Sequence, residues 1–183
     1  MITVLAWALL LSLPASAGAD AEAELWAAMQ RGGHVVLMRH AEAPGTDDPP
    51  GFRLGDCATQ RNLSEAGREQ ARAIGARFRK HGIRNLPVYS SEWCRCLDTA
   101  RLLDLGEVTP YPGLNSFFRD PGQEARQTAE VRELIRRLRG GPSAVLVTHQ
   151  VNITALTGVY PRSGEIVVLR PDGDGLAVIG RIR

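Results

Sequence analysis

Two short apolar runs constrain the fold of this chain most strongly. Residues 35–38 read VVLM and residues 144–147 read AVLV, with no polar side chain inside either run. Runs of this length, rich in valine and leucine, are typical of strands that are covered on both faces. We therefore predict buried strands over 34–40 and 143–149, in a sheet with helices on both sides.

Helical patterns alternate with these strands along the chain. Apolar side chains recur at helical spacing in four segments, each followed or closed by Gly: 21–31, 64–82, 92–106 and 123–140. A third short strand is predicted over 86–91, between the second and third of these helices. Another short helix is predicted to begin after His149.

The end of the chain has a different pattern. Two apolar stretches, 164–171 and 176–183, flank an Asp-Gly-Asp-Gly turn, which is typical of a β-hairpin. Two segments rich in Pro and Gly are predicted as loops, 41–62 entirely and 109–122 for the most part. The whole pattern predicts a three-layer α/β/α fold, with a mostly parallel sheet and a C-terminal β-hairpin.

The first 17 residues, MITVLAWALLLSLPASA, have the pattern of a signal peptide. An uncharged apolar run of about ten residues precedes a small-residue cleavage site at Ala15-Ser16-Ala17. Cleavage before Gly18 would leave one domain over 18–183, periplasmic or secreted, with no membrane span. The alternative is an uncleaved anchor, although the run is short for a spanning helix of ~20 residues.

Charged residues are nearly balanced in this chain. It has 22 Lys and Arg against 20 Asp and Glu, for a net charge of +2. That balance gives no reason to expect nucleic acid or an acidic membrane surface as a partner. Lys80 is the only lysine, so arginine is common, and an isolated arginine has little weight as a functional signal.

Three cysteines, Cys57, Cys94 and Cys96, would meet an oxidising compartment after export. Cys94 and Cys96 are two positions apart on a predicted helix, so their side chains do not face each other. A single disulfide would therefore use Cys57, and the alternative is three buried thiols. The cysteine spacings do not fit a zinc site.

Polar residues follow the predicted strands at the point where each strand ends. The first strand ends in Arg39 and His40, and the last before the hairpin ends in Thr148 and His149. The strand over 86–91 ends in two serines, with Arg95 one turn into the next helix. Ligands of open α/β sheets bind at the carboxyl ends of parallel strands, so we expect these side chains to meet in one crevice.

Two arginines and two histidines in one crevice suit phosphoryl chemistry. Each guanidinium is a planar fork that binds two phosphate oxygens, and a neutral imidazole can attack phosphorus to form a phosphohistidine. The arginines would stabilise charge in the transition state, so no metal or other cofactor is required. A metal pair at His40 and Glu42 lacks a third ligand at a recognised spacing. The sequence also lacks a Cys-x5-Arg loop, a Gly-x-Ser-x-Gly elbow and a Walker loop.

Four segments resemble the signatures of one family. LMRHAEA is similar to its Arg-His strand end, and NLSEAGREQARAIG to its L-[ST]-x-x-G-x-x-Q-A helix start. VYSSEWCRCLDTA resembles its S-S-x-x-x-R-x-x-x-T-A segment, and AVLVTHQVNITALTG its second-histidine strand. The segments follow the order of the histidine phosphatase superfamily, which has the phosphoglycerate-mutase-like fold, and together they span 35–158. The chain resembles a small, exported, bacterial-type member.

The resemblance implies a role for each matching residue. His40 would be the nucleophile, and Arg39 and Arg95 would hold the phosphate. His149 would donate a hydrogen bond to the phosphate, and Arg61 matches a position that some small members use for an additional basic group. Because Arg61 follows Cys57 closely and Arg95 follows Cys94, a shared site predicts a Cys57–Cys94 disulfide. Cys96 falls on a small-residue position of the family segment and is expected to face the core.

This sequence departs from the family pattern in three ways. Ala41 and Gln150 stand after the two histidines, where many members have glycine. No carboxylate stands at the usual general-acid position, where this chain has Asn115 and Ser116. Three substitutes for the general acid are Glu42, Glu92 and Asp120.

The resemblance implies a phosphohydrolase that works through a phosphohistidine. Its substrate would be a phosphomonoester or a phosphohistidine-type compound, either a small molecule or a phosphoprotein. Because no carboxylate stands at the usual general-acid position, leaving groups that need little protonation are favoured. The alternative is a non-catalytic phosphate-binding or interaction protein on the same fold. A mutase is a third reading, which export disfavours.

Overall fold

The computed structural model describes residues 17–173 and 175–183. Its helices are α1 (Ala17–Arg31), α2 (Glu65–Lys80), α3 (Cys94–Leu103), α4 (Glu124–Leu138) and α5 (Gln150–Thr157). Its strands are β1 (Val35–Arg39), β2 (Val88–Ser90), β3 (Val108–Pro110), β4 (Ala144–Thr148), β5 (Ile166–Asp172) and β6 (Gly175–Ile182). Within these ranges, none of the helices is long and apolar enough to cross a membrane. Nearly all of the predicted signal peptide lies outside the described residues, and α1 begins at its last residue, Ala17.

The six strands form one sheet in the order β3-β2-β4-β1-β5-β6. The first four strands are parallel, and β5 and β6 continue the sheet in the antiparallel sense. β4 lies between β1 and β2, with Thr148 opposite Arg39 and Val147 opposite Ser90. The predicted α/β sheet with a C-terminal strand pair is confirmed, and the carboxyl ends of β1, β2 and β4 are brought side by side.

Alternation along the buried strands gives the sheet two apolar faces. On β1, Val36 and Met38 point to one face and pack in a cluster with side chains of α1, α2 and α3. Val35 and Leu37 point to the other face, which α4 and α5 cover. Because both faces are buried, the strand sequences are continuously apolar rather than alternating.

Close packing of α2 against α3 depends on one glycine. A Cβ atom at Gly75 would lie 2.0 Å from the carbonyl oxygen of Leu103, at the end of α3. Only a residue without a side chain allows this approach, which places α2 directly beside the helix that carries Arg95.

One strand lies in a segment that the sequence predicts to be mostly loop. β3 has three residues, of which only Val108 is half-buried, and it ends at Pro110. It pairs with β2 alone, at the edge of the sheet. A strand this short shows no alternation in the sequence, and its position at an edge is compatible with proline.

Candidate active site

A cleft of about 320 Å³ opens at the carboxyl ends of the parallel strands. Five predicted site residues line it together: Arg39, His40, Arg61, Arg95 and His149. They come from two strand ends, the start of α3 and the 41–62 loop, so the sheet topology brings together groups that are far apart in the chain.

His40 lies directly after β1 and is almost completely buried. Its Nδ1 is 2.8 Å from the carbonyl oxygen of Ala41. Since a carbonyl can only accept, this hydrogen bond places the ring proton on Nδ1. Nε2 is then left with a free lone pair, which is the arrangement a nitrogen nucleophile needs.

The surroundings of His40 keep its ring neutral. Burial lowers the pKa of His40 from 6.5 to about 3, and the positive charges of Arg95, Arg61 and Arg39 act in the same direction. These effects outweigh the hydrogen bond to Ala41, which raises the pKa. A neutral imidazole at physiological pH can attack an electrophile without first losing a proton.

Three different elements hold the backbone around His40. The amide of His40 donates to the carbonyl of Thr148 on β4, at 2.9 Å. The amide of Ala41 donates to Oγ1 of Thr99 on α3, at 3.0 Å. The amide of Glu42 donates to Oε1 of Gln70 on α2, also at 3.0 Å. The predicted helix-start and S-S-x-x-x-R-x-x-x-T-A segments therefore meet on the residues that follow β1.

The start of α2 packs on the same stretch of chain. Ser64 is the N-cap residue, and its Oγ accepts from the amide of Gly67 at 2.9 Å. A Cβ atom at Gly67 would lie 2.0 Å from the carbonyl oxygen of Glu42. The glycine of the helix-start motif thus allows α2 to press against the chain immediately after His40.

His149 faces His40 across the cleft. The centres of the two rings are 5.5 Å apart and their planes meet at 68°. Nε2 of His149 lies 2.9 Å from Oγ of Ser91, which follows β2. Burial lowers the pKa of His149, and Arg95 adds to the effect, so this ring is also neutral.

The three arginines of the cleft share an unusual feature. Seven buried side-chain nitrogen or oxygen atoms lack a hydrogen-bond partner within the described ranges, and three of them are Nε of Arg39, Arg61 and Arg95. Burial lowers the pKa of Arg39 and of Arg61. A buried N–H without an acceptor costs about 1–3 kcal/mol, and an anion with several oxygens supplies the acceptors that these groups lack.

A carboxylate that sequence analysis missed holds one of these arginines. Asp48 accepts from both terminal nitrogens of Arg95, from the indole Nε1 of Trp93 at 3.1 Å and from the amide of Arg61 at 2.9 Å. Burial raises the pKa of Asp48, but these hydrogen bonds outweigh it and keep the pKa below its usual value. Asp48 lies in a Pro- and Asp-rich loop without periodicity, so no sequence signal singles it out.

The cysteines lie at the same edge of the cleft. Cys57 and Cys94 form a disulfide in the structure, with Cα atoms 5.7 Å apart and a sequence separation of 37. The bond joins the loop that carries Asp48 to the first residue of α3. Cys96 is a free thiol in the core, and burial raises its pKa to about 12. This thiol therefore stays protonated.

The three carboxylates expected as general acids are placed differently. Glu42 is exposed, accepts from the Ser64 hydroxyl at 3.1 Å and does not line the cleft. Glu92 also lies outside the lining of the cleft and accepts from the side-chain amide of Asn115 at 2.7 Å. Asp120 lines the outer part of the cleft and accepts from Gln123 at 2.9 Å. Of the three, only Asp120 is brought to the cleft.

Comparison with protein families gives a match in the first part of the chain. The family model of the histidine phosphatase superfamily (branch 1) matches residues 35–117. This range begins at β1 and includes His40, Arg61 and Arg95, whereas His149 lies beyond it. No curated protein sequence matches the chain significantly.

Solved structures with the same fold include three phosphatases. The chain is 19% identical to a mycobacterial glucosyl-3-phosphoglycerate phosphatase with VO3, with a TM-score of 0.60, over 79% of this chain and 96% of that one. The protein histidine phosphatase SixA with tungstate is 16% identical, with a TM-score of 0.58, over 81% and 96%. A phosphoserine phosphatase variant from Entamoeba histolytica with phosphoserine is 15% identical, with a TM-score of 0.59, over 81% and 95%.

The match to the histidine phosphatase superfamily model is thus confined to residues 35–117, and the solved structures show that the fold is shared. Three of the four segments that resemble the family lie within this match, and the fourth, the second-histidine strand, lies beyond residue 117. Among the described residues, no group of three or more His, Cys, Asp and Glu side chains is placed to hold a metal ion.

Aromatic side chains form part of the wall of the cleft. Trp93 packs edge-on against His149, with ring centres 5.4 Å apart. Phe52, from the 41–62 loop, stacks on Trp93 at 5.0 Å and 21°. Phe118 lines the cleft from the segment before α4 and is 58% exposed. Sequence analysis did not single out these residues, because their proximity depends on long-range packing.

An ion pair joins two of these segments at the mouth of the cleft. Asp47 accepts from Nε of Arg119 at 2.8 Å and from its terminal nitrogen at 2.9 Å. That hydrogen bond lowers the pKa of Asp47, so its carboxylate is ionised. Arg119 also donates to the carbonyl of Asp48, which links the loop to the chain beside Phe118.

Proposed function

We propose that this protein is a phosphohydrolase that transfers a phosphoryl group from its substrate to Nε2 of His40 and then to water. The observation that carries the proposal is the neutral His40, with its proton on Nδ1, in a cleft with three arginine Nε groups that lack acceptors. The family and the three phosphatases with the same fold support the reaction class.

The first step exchanges one bond at phosphorus for another. The Nε2 lone pair of His40 attacks phosphorus, the bond to the leaving group breaks, and its electron pair departs with the leaving group. Arg39, Arg61 and Arg95 stabilise the negative charge on the phosphoryl oxygens during this transfer. No acid–base change of His40 is needed before the attack, because the ring is already neutral.

Hydrolysis then regenerates the enzyme. Water attacks the phosphohistidine, the N–P bond breaks, and inorganic phosphate leaves with the oxygen of that water. Nε2 recovers its lone pair, and the proton lost by water remains on phosphate or passes to solvent. Charge neutralisation throughout the cycle comes from the arginines, so activity requires no metal ion.

His149 is proposed to donate to a phosphoryl oxygen. Nε2 of His149 lies 2.9 Å from the Ser91 hydroxyl and 3.5 Å from the Cys96 thiol, either of which can donate to it, so the tautomer proposed for the neutral ring has its proton on Nδ1. That N–H is available for the substrate. Asp48 is excluded as the general acid, because four hydrogen bonds hold it ionised. Asp120 is the candidate acid that remains at the cleft.

We also propose that the protein works outside the cytoplasm, in the periplasm or after secretion. The signal-peptide pattern of residues 1–17 and a disulfide beside the cleft support this location, since disulfides persist in oxidising compartments. Its partner is a phosphorylated small molecule or a phosphoprotein, and the near-balanced charge gives no reason to propose nucleic acid.

Rapid-quench labelling tests the covalent step. Mature protein mixed with a ³²P-labelled phosphomonoester should give a labelled protein whose bond is labile in acid and stable in base. His40→Asn should abolish both labelling and turnover. His34→Asn is the matched control, because His34 precedes β1 at the opposite end of the strand and should leave both unchanged. Phosphate binding without turnover in the wild type would favour the non-catalytic alternative.

A further inference from the structure

We propose that the leaving group of the substrate is a planar aromatic ring, so that the enzyme acts on aryl phosphate monoesters of the phosphotyrosine kind. This inference rests on the proposed phosphohydrolase function and names the substrate class of the same site. Two independent observations carry it: the aromatic wall of the cleft, and the hydrogen bonds from arginines that occupy two of the carboxylates around it.

Aromatic residues are scarce in this chain, and three of the ten line the cleft. The whole sequence has 3 Trp, 3 Tyr and 4 Phe, and three of these residues, Phe52, Trp93 and Phe118, line this one cleft. Trp93 contacts His149 with ring centres 5.4 Å apart, and Phe52 stacks on Trp93 from outside. These ring contacts therefore connect the aromatic side chains of the cleft to His149 of the proposed phosphoryl site.

Phe118 shows that part of this wall is exposed to water. Phe118 is 58% exposed as a residue, while the neighbouring Phe117 is buried and anchors the segment. Val151 adds a further apolar side chain to the lining. A planar ring that enters the cleft covers such surface and gains ring–ring contacts, which contribute about 0.5–1.5 kcal/mol per aromatic pair beyond the burial of area.

The ionised carboxylates at the cleft also favour an aromatic leaving group. Asp47 and Asp48 are both held by arginines and both have a pKa below the usual value, so neither carries a proton to donate. Asp120 is exposed at the rim. A phenol such as Tyr has a pKa near 10, far below that of an alkyl alcohol, so phenolate departs with little or no protonation.

The test separates ring recognition from leaving-group acidity. Phenyl phosphate is compared with a fluorinated alkyl phosphate whose alcohol is as acidic as phenol. With equal acidity, we expect kcat/KM to be at least about tenfold higher for the aryl ester, the factor that corresponds to 1.4 kcal/mol. Phenylphosphonate, which is not hydrolysed, should inhibit about tenfold more strongly than ethylphosphonate.

Variants of Phe118 test whether this side chain recognises the aromatic ring of the substrate. Phe118→Ala should lower kcat/KM for phenyl phosphate about five- to tenfold, mainly through KM, and leave the fluoroalkyl ester within about twofold. Phe118→Trp should retain the aryl preference. Tyr160→Ala is the matched control, because Tyr160 is 70% exposed and does not line the cleft.

Two outcomes would overturn the inference and leave the phosphohydrolase intact. One is equal kcat/KM for the two esters, with Phe118→Ala affecting neither. The other is turnover of an N-phosphoimidazole while phenyl phosphate is inert. Turnover that persists in His40→Asn would instead overturn the proposed function itself, so the two failures are distinguishable.

Discussion

Both carboxylate oxygens of Asp48 accept hydrogen bonds from the guanidinium of Arg95, at 2.8 and 3.3 Å, although the two residues are 47 positions apart. Both side chains are buried, at 9% and 4% exposure. The pair uses the two terminal nitrogens of Arg95 and leaves its Nε without a partner. Asp48 is therefore a positioning residue, which fixes the orientation of an arginine that is proposed to hold phosphate.

We predict that Asp48→Asn destabilises the protein and weakens catalysis. Removing one charge of a buried pair leaves the other uncompensated, which costs about 3 kcal/mol. Misorientation of Arg95 should lower kcat/KM by about 10- to 100-fold. Urea unfolding at pH 7 measures the first effect, and steady-state kinetics on phenyl phosphate measures the second.

Asp47→Asn is the control for this variant. Asp47 is the adjacent residue, and its pair with Arg119 is half exposed, at 46% and 48%, so the loss should be below about 1 kcal/mol. Equal destabilisation by the two substitutions would show that the buried pair has no special role in the cleft.

The second prediction concerns the bond between Cys57 and Cys94. It closes a loop of 37 residues, which corresponds to about 3–4 kcal/mol on the chain-entropy view. A Cys57→Ser/Cys94→Ser variant should be less stable by this amount. It should also have a higher KM, because the loop that carries Asp48 loses its covalent bond to α3.

Thiol counting accompanies the measurement. Unfolded, non-reduced protein should react at one thiol per chain, that of Cys96, and at three after reduction. Cys96→Ala is the control and should keep the disulfide. Three reactive thiols in protein that was exported during expression would contradict the pairing.

The third prediction is a pH dependence of stability. Burial is the largest cause of the low pKa of His40, about 3 against an ordinary 6.5, and burial also lowers the pKa of His149. The folded state therefore binds fewer protons than the unfolded state between these values, so acid favours unfolding. The stabilisation is fully present above pH ~6.5 and is lost as the pH falls toward 3.

Urea unfolding at pH 7 and at pH 5 isolates the contribution of His40. With an unfolded pKa near 6.5, one histidine accounts for a loss of about 2 kcal/mol between these pH values. His40→Asn should lose about 2 kcal/mol less than the wild type over this interval. Identical losses in the two proteins would show that His40 titrates normally.

Sequence patterns predict the centre of the sheet well and its edge poorly. β1 and β4 are continuous apolar runs because both of their faces are buried, and such runs are visible without any tertiary information. β3 contributes three residues and one half-buried side chain, so its hydrogen bonding to β2 decides its conformation. That pairing is a long-range property which local spacing does not encode.

The same division applies to the site. His40, Arg95 and His149 follow strand ends or open a helix in recognisable segments, so their convergence follows from topology. Asp48 and Phe118 come from irregular chain, and their contacts depend on how two loops pack together. Sequence patterns therefore identify the site residues at strand ends, but they do not predict which residues form the mouth of the cleft.

The clamp on the backbone after β1 has a consequence for dynamics. The amides of His40, Ala41 and Glu42 donate to three different elements, β4, α3 and α2. His40 and Ala41 are buried, whereas Glu42 is exposed and its acceptor is a side-chain oxygen. Opening of α2 alone therefore frees the amide of Glu42 and leaves the amides of His40 and Ala41 bonded. Hydrogen exchange at three consecutive amides beside the proposed nucleophile thus reports separately on β4, α3 and α2.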